Sequence, residues 1–342
     1  MSTTTVSPGQ HTNNSESTPI LETRGIKVHF PVKRGLIIQR TIGVVKAVDG
    51  VDIQIKRGET LGLVGESGSG KTTLGRAILR LNDTADGNVR FEGQDVLDLK
   101  GREMRQLRQK IGMVFQDPYG SLNPRMTVGN IVAEPILVHN IFDDRSKITD
   151  RVMELFDTVG LSRSMATRYP HEFSGGQRQR IGIARALASG PSLLICDEPV
   201  SALDVSIQAQ IISLFDRLKE EKKLTYLFIA HDLAVVRHVS DSVAVMYLGK
   251  VMEQGNADAV YRNPQHPYTQ ALLSAVPIPD PIVERKRDRV VLQGDIPSPL
   301  NPPKGCVFNT RCPVAEDRCF SEVPLPQTFS DGRRIACHKI NP

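Results

Sequence analysis

The chain has 342 residues, of which 39% are hydrophobic, a composition typical of a soluble globular protein with one large or two modest domains. Its formal net charge is only +5, because 43 basic residues face 38 acidic ones, and this small surplus does not argue for a nucleic-acid partner. No apolar run approaches the roughly 18 to 20 residues that cross a bilayer, and the polar N-terminus has no apolar signal core. We therefore expect a cytosolic chain, so that any spanning helices would belong to other subunits.

The N-terminal part of the chain is predicted to be disordered at first and then to form strands. Residues 1–20 are polar and lack any hydrophobic period. Strand-like stretches follow at 26–30 and 51–55, and the segment 31–43 between them is predicted to be an inserted loop. The sequence shows no internal repeat, which indicates one catalytic unit and not a fused pair.

A phosphate-binding loop is predicted at residues 65–72, which read Gly-Glu-Ser-Gly-Ser-Gly-Lys-Thr. An apolar run at 59–64 predicts a buried strand before it, and a helix is predicted to open at Lys71, which is the context that such a loop requires. The glycines let backbone N–H groups face the phosphates, Lys71 adds positive charge, and Thr72 offers its hydroxyl to Mg²⁺. The alternative is a chance glycine-rich turn. The residues predicted to hold the nucleotide here are Gly65, Glu66, Ser67, Gly68, Ser69, Gly70, Lys71, Thr72 and Thr73.

Two acidic residues, Asp197 and Glu198, follow a second apolar run at 193–196. Asp197 is predicted to hold Mg²⁺, and Glu198 to act as general base or to orient an attacking water. Taken alone, the pair is also compatible with a solvated strand end. A third buried strand, predicted at 225–230, ends in His231. Because parallel strands present their carboxyl ends at one edge of a sheet, we expect these residues to lie near the glycine loop.

A second anion site is predicted at Ser174, Gly175, Gly176 and Gln177, ahead of a helix over 178–188. A serine N-cap followed by glycines leaves backbone amides free, and the helix dipole favours negative charge there. The alternative is an ordinary helix cap. Since the chain already has a phosphate loop, the simplest interpretation is that this second site serves the ATP of another copy.

Together these motifs resemble those of ATP-binding-cassette (ABC) ATPases over about residues 21–255. The resemblance implies an α/β fold: a P-loop NTPase cassette with a RecA-like core, an antiparallel β subdomain and a helical subdomain at about 112–190. It also implies a head-to-tail dimer with two ATPs, each between the Walker A loop of one subunit and the signature of the other. Phe173 stands where the family usually has leucine. The matching segments are Walker A (65–72), Gln116 of the Q-loop, the signature (173–177), Walker B (193–198), the D-loop (201–204) and His231.

The resemblance gives roles to three residues whose chemistry alone is uninformative. It places His231 on the γ-phosphate as a catalytic residue. It places Gln116 on the metal, with its loop sensing a membrane subunit. It offers Phe30 as the aromatic that stacks on adenine, although the insertion at 31–43 makes a core position the alternative for Phe30.

Beyond residue 255 the composition becomes rich in proline, and we predict a small cysteine-containing C-terminal extension over 256–342. This part resembles the tail of oligopeptide and dipeptide importer ATPases, a subfamily that includes nickel and glutathione importers. The insertion before Val45 resembles the second of the two paired ATPases in those systems. The segments that carry the resemblance are 263–273, 294–299, 305–308 and 311–312.

Four cysteines of the extension, Cys306, Cys312, Cys319 and Cys337, are predicted to be metal ligands. Four thiolates suit a [4Fe–4S] cluster or zinc, while their irregular spacing also leaves reduced free thiols open. The importers that the tail resembles are understood to carry an iron–sulfur cluster, and the resemblance therefore favours a [4Fe–4S] cluster with a structural role. Cys196, inside the Walker B strand, is expected to be a small core residue.

The sequence therefore predicts an ATPase that uses ATP and Mg²⁺ to power the import of di- and oligopeptides, located peripherally on the cytoplasmic face of a bacterial plasma membrane. The implied partners are two transmembrane permease subunits, a paralogous ATPase in a heterodimer and, indirectly, an extracytoplasmic solute-binding protein. Nickel or glutathione import by the same machinery is an alternative. A soluble ABC ATPase acting on DNA or the ribosome is a rival, as is a redox or iron sensor. The DNA-repair type needs a long heptad insertion, and the ribosomal type two cassettes, neither of which the sequence shows.

Overall fold

The computed structural model describes residues 18–35, 40–277, 285, 290 and 292–341. Of the segment predicted to be disordered, residues 1–17 lie outside this described part, whereas Pro19 already begins the first strand.

The strands in chain order are β1 (Pro19–Arg34), β2 (Arg40–Lys56), β3 (Thr60–Val64), β4 (Asp86–Phe91), β5 (Gln94–Asp95), β6 (Ile111–Val114), β7 (Leu193–Asp197), β8 (Thr225–Ile229), β9 (Ser242–Tyr247), β10 (Lys250–Asn256), β11 (Gln327–Thr328) and β12 (Arg334–Ile335).

Helices cover both faces of the larger sheet and form a separate helical part. The helices in chain order are α1 (Lys71–Ile78), α2 (Gly101–Lys110), α3 (Val128–Val138), α4 (Arg145–Thr158), α5 (Gly175–Leu187), α6 (Val205–Lys222), α7 (Leu233–Val239), α8 (Ala257–Arg262), α9 (Pro267–Ser274) and α10 (Asp317–Ser321). Short 3₁₀ turns stand at Arg163–Thr167 and Pro170–Glu172. No helix of the described residues is long and apolar enough to cross a membrane.

The larger sheet has eight strands in the order β11-β12-β10-β9-β3-β8-β7-β6, and the five strands from β9 to β6 are mutually parallel. Strands β3, β7 and β8 are buried along their whole length, as expected for parallel strands covered on both faces. The three predicted strands are therefore confirmed as neighbours with their carboxyl ends at one edge. The sequence analysis missed β6 and β9, which flank them.

The smaller sheet is antiparallel, in the order β2-β1-β4-β5. The loop predicted at 31–43 is wrong, because residues 31–34 belong to β1 and residues 40–43 belong to β2, with Pro31 paired with Val44. Gly35 lies between these two strands, and residues 36–39 lie outside the described part. In the described residues β4 accompanies β1 only as far as Lys27, which leaves the other side of β1 unpaired beyond that point. A proline without an N–H is tolerated on such an edge, because no ladder hydrogen bond is lost.

The helical part is built mainly from α3, α4 and α5, which pack on one another around buried side chains such as Phe156 and Ile181. These helices lie within the span predicted at 112–190. Residues 112–114, however, belong to β6 and pair with β7 in the large sheet. Helix α5 also packs on β6, so the helical part is attached to the sheet at the edge where β6 ends.

The C-terminal extension continues the large sheet. Strand β12 pairs antiparallel with β10 through Ile335 opposite Glu253 and Arg334 opposite Gln254. Tyr268 of α9 and Phe308 pack against Tyr247 of β9, with ring centroids 4.7 and 5.3 Å from the Tyr247 ring. The residues after 256 therefore share a core with the strands that precede them.

Candidate nucleotide site

The glycine loop connects β3 to α1, and its backbone is confined so tightly that two of its positions accept only glycine. Gly65 and Gly70 have φ angles of 149° and 102°. A Cβ atom on Gly65 would lie 2.1 Å from the carbonyl oxygen of Met246, and one on Gly70 would lie 2.0 Å from that of Ala47. The loop is therefore held against β9 on one side and β2 on the other.

Lys71 lies at the centre of this loop with only 4% of its surface exposed. Its Nζ donates to the carbonyl oxygens of Gly65 (2.7 Å) and Glu66 (2.9 Å) and to Oγ of Ser69 (3.3 Å). Burial lowers the pKa of Lys71, while the more distant carboxylates of Glu198, Asp197 and Glu66 act in the opposite direction. The ammonium group thus contacts only neutral oxygens, which is a favourable setting for an incoming phosphate.

Asp197, the last residue of β7, is fully buried and accepts a hydrogen bond from Oγ1 of Thr72 at 2.6 Å. Its other oxygen, Oδ2, is buried and has no hydrogen-bond partner among the described residues. Burial raises the pKa of Asp197, and the bond from Thr72 opposes this shift. An unpaired carboxylate oxygen beside a threonine hydroxyl fits Mg²⁺, which takes one or two protein oxygens together with phosphate and water.

The three residues predicted to be catalytic meet at one carboxylate. Nε2 of Gln116 donates to Oε2 of Glu198 at 2.8 Å, and Nδ1 of His231 lies 3.5 Å from the same oxygen. Gln116 follows β6, Glu198 follows β7 and His231 follows β8, so three adjacent parallel strands bring them together. The backbone of Glu198 has φ 46°, a left-handed conformation that is unusual for a residue with a side chain and is often found at functional sites.

The signature residues form the predicted helix start. Oγ of Ser174 accepts from the backbone N–H of Gln177 (3.3 Å), and Oε1 of Gln177 accepts from that of Ser174 (3.0 Å), a reciprocal capping box at the beginning of α5. A Cβ on Gly176 would lie 2.5 Å from a methyl group of Ile207. Ser174 is exposed, and Gly175 is partly exposed. Within the described ranges, no hydrogen bond joins these residues to the glycine loop.

Phe30 lies in β1 opposite Val45, and 40% of its surface is exposed. The alternative position in the core is therefore wrong. The predicted stacking of Phe30 on adenine stays a prediction.

The four cysteines of the extension are brought near one another, with Cys306, Cys319 and Cys337 buried and Cys312 partly buried. The backbone N–H of Cys306 donates to the carbonyl of Cys319 at 2.8 Å. Burial raises the pKa of Cys306 to about 11, and the other three thiols add to this effect. Across the described ranges, however, no group of three or more His, Cys, Asp or Glu side chains is arranged to hold a metal ion, so this geometry gives the predicted cluster no support. Cys196 is fully buried in β7, which confirms it as a core residue.

Sequence reasoning missed two arginines of α5 that join the signature helix to the segment 115–121 around Gln116. The guanidinium carbon of Arg178 lies 3.8 Å from the ring centroid of Tyr119, and that of Arg185 lies 5.6 Å from the Phe115 ring. Arg185 also donates to the carbonyl of Ser121. The spacing of seven residues, about two helical turns, was the available signal, because it places both arginines on one face of the helix.

Sequence reasoning also missed the contacts that the extension makes with the glycine loop. Arg311 forms an ion pair with Glu66, with Nη1 2.7 Å from Oε2, and the hydroxyl of Tyr268 accepts from the Glu66 backbone N–H at 3.0 Å. The sequence signal for these contacts was the acidic side chain of Glu66 within the predicted phosphate loop. An acidic side chain in a phosphate loop repels the ligand unless a cation neutralises it.

Two family models match the chain: one described as "ABC transporter" over residues 48–201, and one described as "Oligopeptide/dipeptide transporter, C-terminal region" over residues 252–319. The chain is 56% identical over 320 residues to the oligopeptide transport ATP-binding protein AppF of Bacillus subtilis (strain 168), an alignment that covers 93% of this chain and 97% of that protein. It is 53% identical over 324 residues to the oligopeptide transport ATP-binding protein OppF of Salmonella typhimurium (strain LT2), with 94% and 97% covered.

Among solved structures, the chain resembles the dimeric ATP-binding cassette MJ0796 in a post-hydrolysis state bound to ADP and Pi. The TM-score is 0.61 at 29% identity, over 69% of this chain and 98% of that one. It also resembles cbiO1 of Clostridium perfringens, part of the ABC transporter complex cbiONQ, with a TM-score of 0.61 at 28% identity over 72% and 91% of the chains. These similarities confirm the predicted cassette fold, with its antiparallel sheet and helical part.

Proposed function

We propose that this chain, which belongs to the ABC transporter family as an ATPase of its oligopeptide transport branch, powers the import of di- and oligopeptides. The inference that peptides are the cargo rests on the C-terminal match over residues 252–319, because a cassette alone does not distinguish one transported solute from another. The identity of 56% to an oligopeptide transport ATP-binding protein, over nearly the whole of both chains, supports the same cargo.

The nucleotide in this proposal binds with its phosphates at the glycine loop. The backbone amides of the loop and the buried ammonium of Lys71 hold the phosphate oxygens and stabilise the negative charge of the transition state. Thr72 and Asp197 would hold Mg²⁺, with Gln116 reaching the same ion. When bound, Mg²⁺ supplies electrostatic stabilisation of the phosphate charge.

Glu198 is proposed to orient the attacking water and to accept its proton. The water oxygen attacks the γ-phosphorus in line, the bond to the β-phosphate oxygen breaks, and ADP and inorganic phosphate leave. The bond from Gln116 and the contact with His231 fix the Glu198 carboxylate, and His231 is the group proposed to contact the γ-phosphate.

The signature residues, of which Ser174 is exposed and Gly175 to Gln177 are partly exposed, are proposed to bind the ATP of a second ATPase subunit. The amides of Gly175 and Gly176 at the start of α5 suit an anion. Among the described residues, no hydrogen bond joins the signature to the glycine loop. We propose a paralogous ATPase as that subunit, two transmembrane permease subunits as the parts that move, and an extracytoplasmic solute-binding protein as the source of cargo. This arrangement places the chain peripherally on the cytoplasmic face of a bacterial plasma membrane.

The division of the chain remains part of the proposal: a nucleotide-binding domain at 21–255 that contains the helical subdomain, followed by the extension at 256–342. A [4Fe–4S] cluster on the four cysteines also stays a prediction. Iron and acid-labile sulfide measured on anaerobically purified protein test it. A stoichiometry near zero in protein that folds and binds ATP would remove the cluster from the proposal.

The test of peptide import is the uptake of labelled di- and oligopeptides by cells that carry the native chain or Glu198→Gln. Glu221→Gln, which changes an exposed carboxylate of α6, is the matched control. We expect uptake to collapse in Glu198→Gln alone. Unchanged uptake would leave the chain an ATPase but would exclude these peptides as cargo, and nickel and then glutathione uptake would be measured next.

A further inference from the structure

The glycine loop carries a negative charge that works against its ligand. Glu66 is the second residue of the loop, and its carboxylate lies near enough to favour the charged form of Lys71, the lysine predicted to hold the phosphates. A carboxylate so close to a polyphosphate repels it, and this repulsion is strong where water is partly excluded. The loop therefore needs a cation that neutralises Glu66 without occupying the phosphate site.

Arg311 of the extension supplies that cation through a paired contact. Its Nη1 lies 2.7 Å from Oε2 of Glu66 and its Nη2 lies 3.1 Å from Oε1, so both oxygens of the carboxylate are engaged. The side chains of Arg311 and Glu66 are only 8% and 24% exposed. A bidentate and largely buried arginine–carboxylate pair is among the stronger and more directional polar contacts in proteins.

Three packed aromatic side chains hold the ion pair of Arg311 and Glu66 in place. The Tyr247 hydroxyl lies 3.5 Å from Nη1 of Arg311, and the Tyr268 hydroxyl accepts from the Glu66 backbone N–H. Tyr247, Tyr268 and Phe308 pack on one another with ring centroids 4.7 to 5.3 Å apart. The extension thus holds both the side chain and the backbone of Glu66.

We propose that Arg311 is a positioning residue for ATP: it neutralises Glu66 and holds the glycine loop in the conformation that receives the phosphates. The C-terminal extension then forms the outer wall of the nucleotide site. Arg311 itself does not touch the nucleotide in this proposal and acts only through Glu66. The inference rests on the proposed assignment of the glycine loop as the ATP site.

Attachment of the extension to the rest of the chain does not depend on Arg311. Strand β12 pairs with β10, Arg333 lies 3.5 Å from the buried Glu253, and Arg334 lies 3.3 Å from Asp52 of β2. These contacts remain when Arg311 is replaced. They also provide a matched control, because Arg334 joins the extension to the small sheet and has no contact with the glycine loop.

The experiment is a titration of the full-length chain with a fluorescent ATP analogue in the presence of Mg²⁺. We expect Arg311→Met to raise the dissociation constant about tenfold, a typical coupling between two sites, and Arg334→Met to change it less than about twofold. In a Glu66→Gln background Arg311→Met should have little further effect, because the charge that Arg311 neutralises is already gone. Thermal unfolding of the ligand-free variants reports any general loss of stability.

The outcomes separate the two proposals. If Lys71→Ala still binds the analogue, the assignment of the ATP site is wrong. If Lys71→Ala loses binding while Arg311→Met binds like the native chain, only the role of Arg311 is wrong. Equal losses from Arg311→Met in the native and Glu66→Gln backgrounds would also overturn it, because Arg311 would then act elsewhere. Should Arg311→Met fail to fold, Arg311→Lys keeps the charge without the paired geometry, and a loss of affinity that depends on Glu66 is again expected.

Discussion

The glycine loop and the signature turn use the same chemistry, backbone amides at the start of a helix, in opposite surroundings. The glycine loop is enclosed: Lys71 is 4% exposed, and the loop contacts β9, β2 and the C-terminal extension. The signature turn is open, with Ser174 exposed and its glycines partly exposed. The glycine-loop site is therefore the enclosed end of the cassette, and the signature turn is its open end.

This difference separates what a single chain does from what a pair does. Binding of ATP depends on the enclosed end, which the chain builds alone. In the proposed dimer, the open end of a second subunit also takes part in hydrolysis by helping to stabilise the transition-state charge. Variants at the open end should therefore impair hydrolysis while ATP binding by the isolated chain is unchanged.

The largest effect is expected at the enclosed end. Glu198→Gln removes the carboxylate that orients the water, and we expect ATP hydrolysis to fall about a thousandfold, roughly 4 kcal/mol in barrier height. ATP binding should remain, because Glu198 does not contact the glycine loop backbone. Phosphate release with the partner subunits present and equilibrium ATP binding are the two measurements, with Glu221→Gln as control. Turnover within tenfold of the native rate would contradict the role of Glu198.

At the open end, Gly176→Ala should damage hydrolysis and spare binding. The added Cβ would lie 2.5 Å from a methyl group of Ile207, so either the first turn of α5 or the Ile207 side chain must shift. We expect ATP hydrolysis to fall about a hundredfold, roughly 2.7 kcal/mol, while the isolated chain binds ATP as before. Gly182→Ala on the same helix is the matched control, since its Cβ would meet nothing within 4 Å. A loss of ATP binding in Gly176→Ala would break the distinction between the two ends.

Lowering the pH should reduce the free energy of unfolding through His266, which lies beside the Tyr268 that contacts the glycine loop. This histidine caps α9, where Nδ1 accepts from the Tyr268 N–H at 3.0 Å, and its burial lowers its pKa from 6.5 to about 3. Since the folded pKa lies below the unfolded one, the contribution to stability is complete above pH 6.5 and is lost as the pH falls toward 3. Between pH 7 and 5 we expect a loss of about 2 kcal/mol in the free energy of unfolding.

Urea unfolding at the two pH values measures this loss. His266→Asn keeps a side-chain oxygen for the cap without a titrating ring, so its acid sensitivity should be smaller. His238→Asn, at an exposed position, should behave like the native chain. Equal acid sensitivity in all three proteins would show that His266 is not responsible.

The smallest effect is a gain in stability. Burial raises the pKa of Asp197, so its contribution to stability is present at low pH and lost as the pH rises through that pKa. Burial therefore disfavours the ionised form of Asp197 in the ligand-free chain. We expect Asp197→Asn to raise the free energy of unfolding by about 1 kcal/mol in the absence of Mg²⁺. Thermal unfolding in a chelator tests this, with the exposed Asp204→Asn as control; a destabilised Asp197→Asn would argue against it.

The parts that sequence reasoning found are those with local chemical signals. The glycines before Lys71 and the cap at Ser174 act within a few residues of themselves, so both helix starts were predicted. Strand β6 was missed because a four-residue apolar run directly after α2 has no periodicity of its own. Pro31 predicts a break in the strand, whereas the structure keeps it within β1, because among the described residues no strand pairs with β1 there on the side away from β2. Such facts are set by distant parts of the chain.

The pair of Glu66 and Arg311 also bears on the order of events during synthesis. The two residues are 245 positions apart, so a ribosome has made the whole cassette before the partner of Glu66 emerges. Until then the nascent glycine loop keeps its unneutralised carboxylate, and β10 lacks the strand that later pairs with it. At translation rates of about 5 to 20 residues per second, this interval lasts on the order of ten seconds or more. Under the proposal that Arg311 holds the glycine loop, the subunit reaches full nucleotide affinity only when its synthesis is nearly finished.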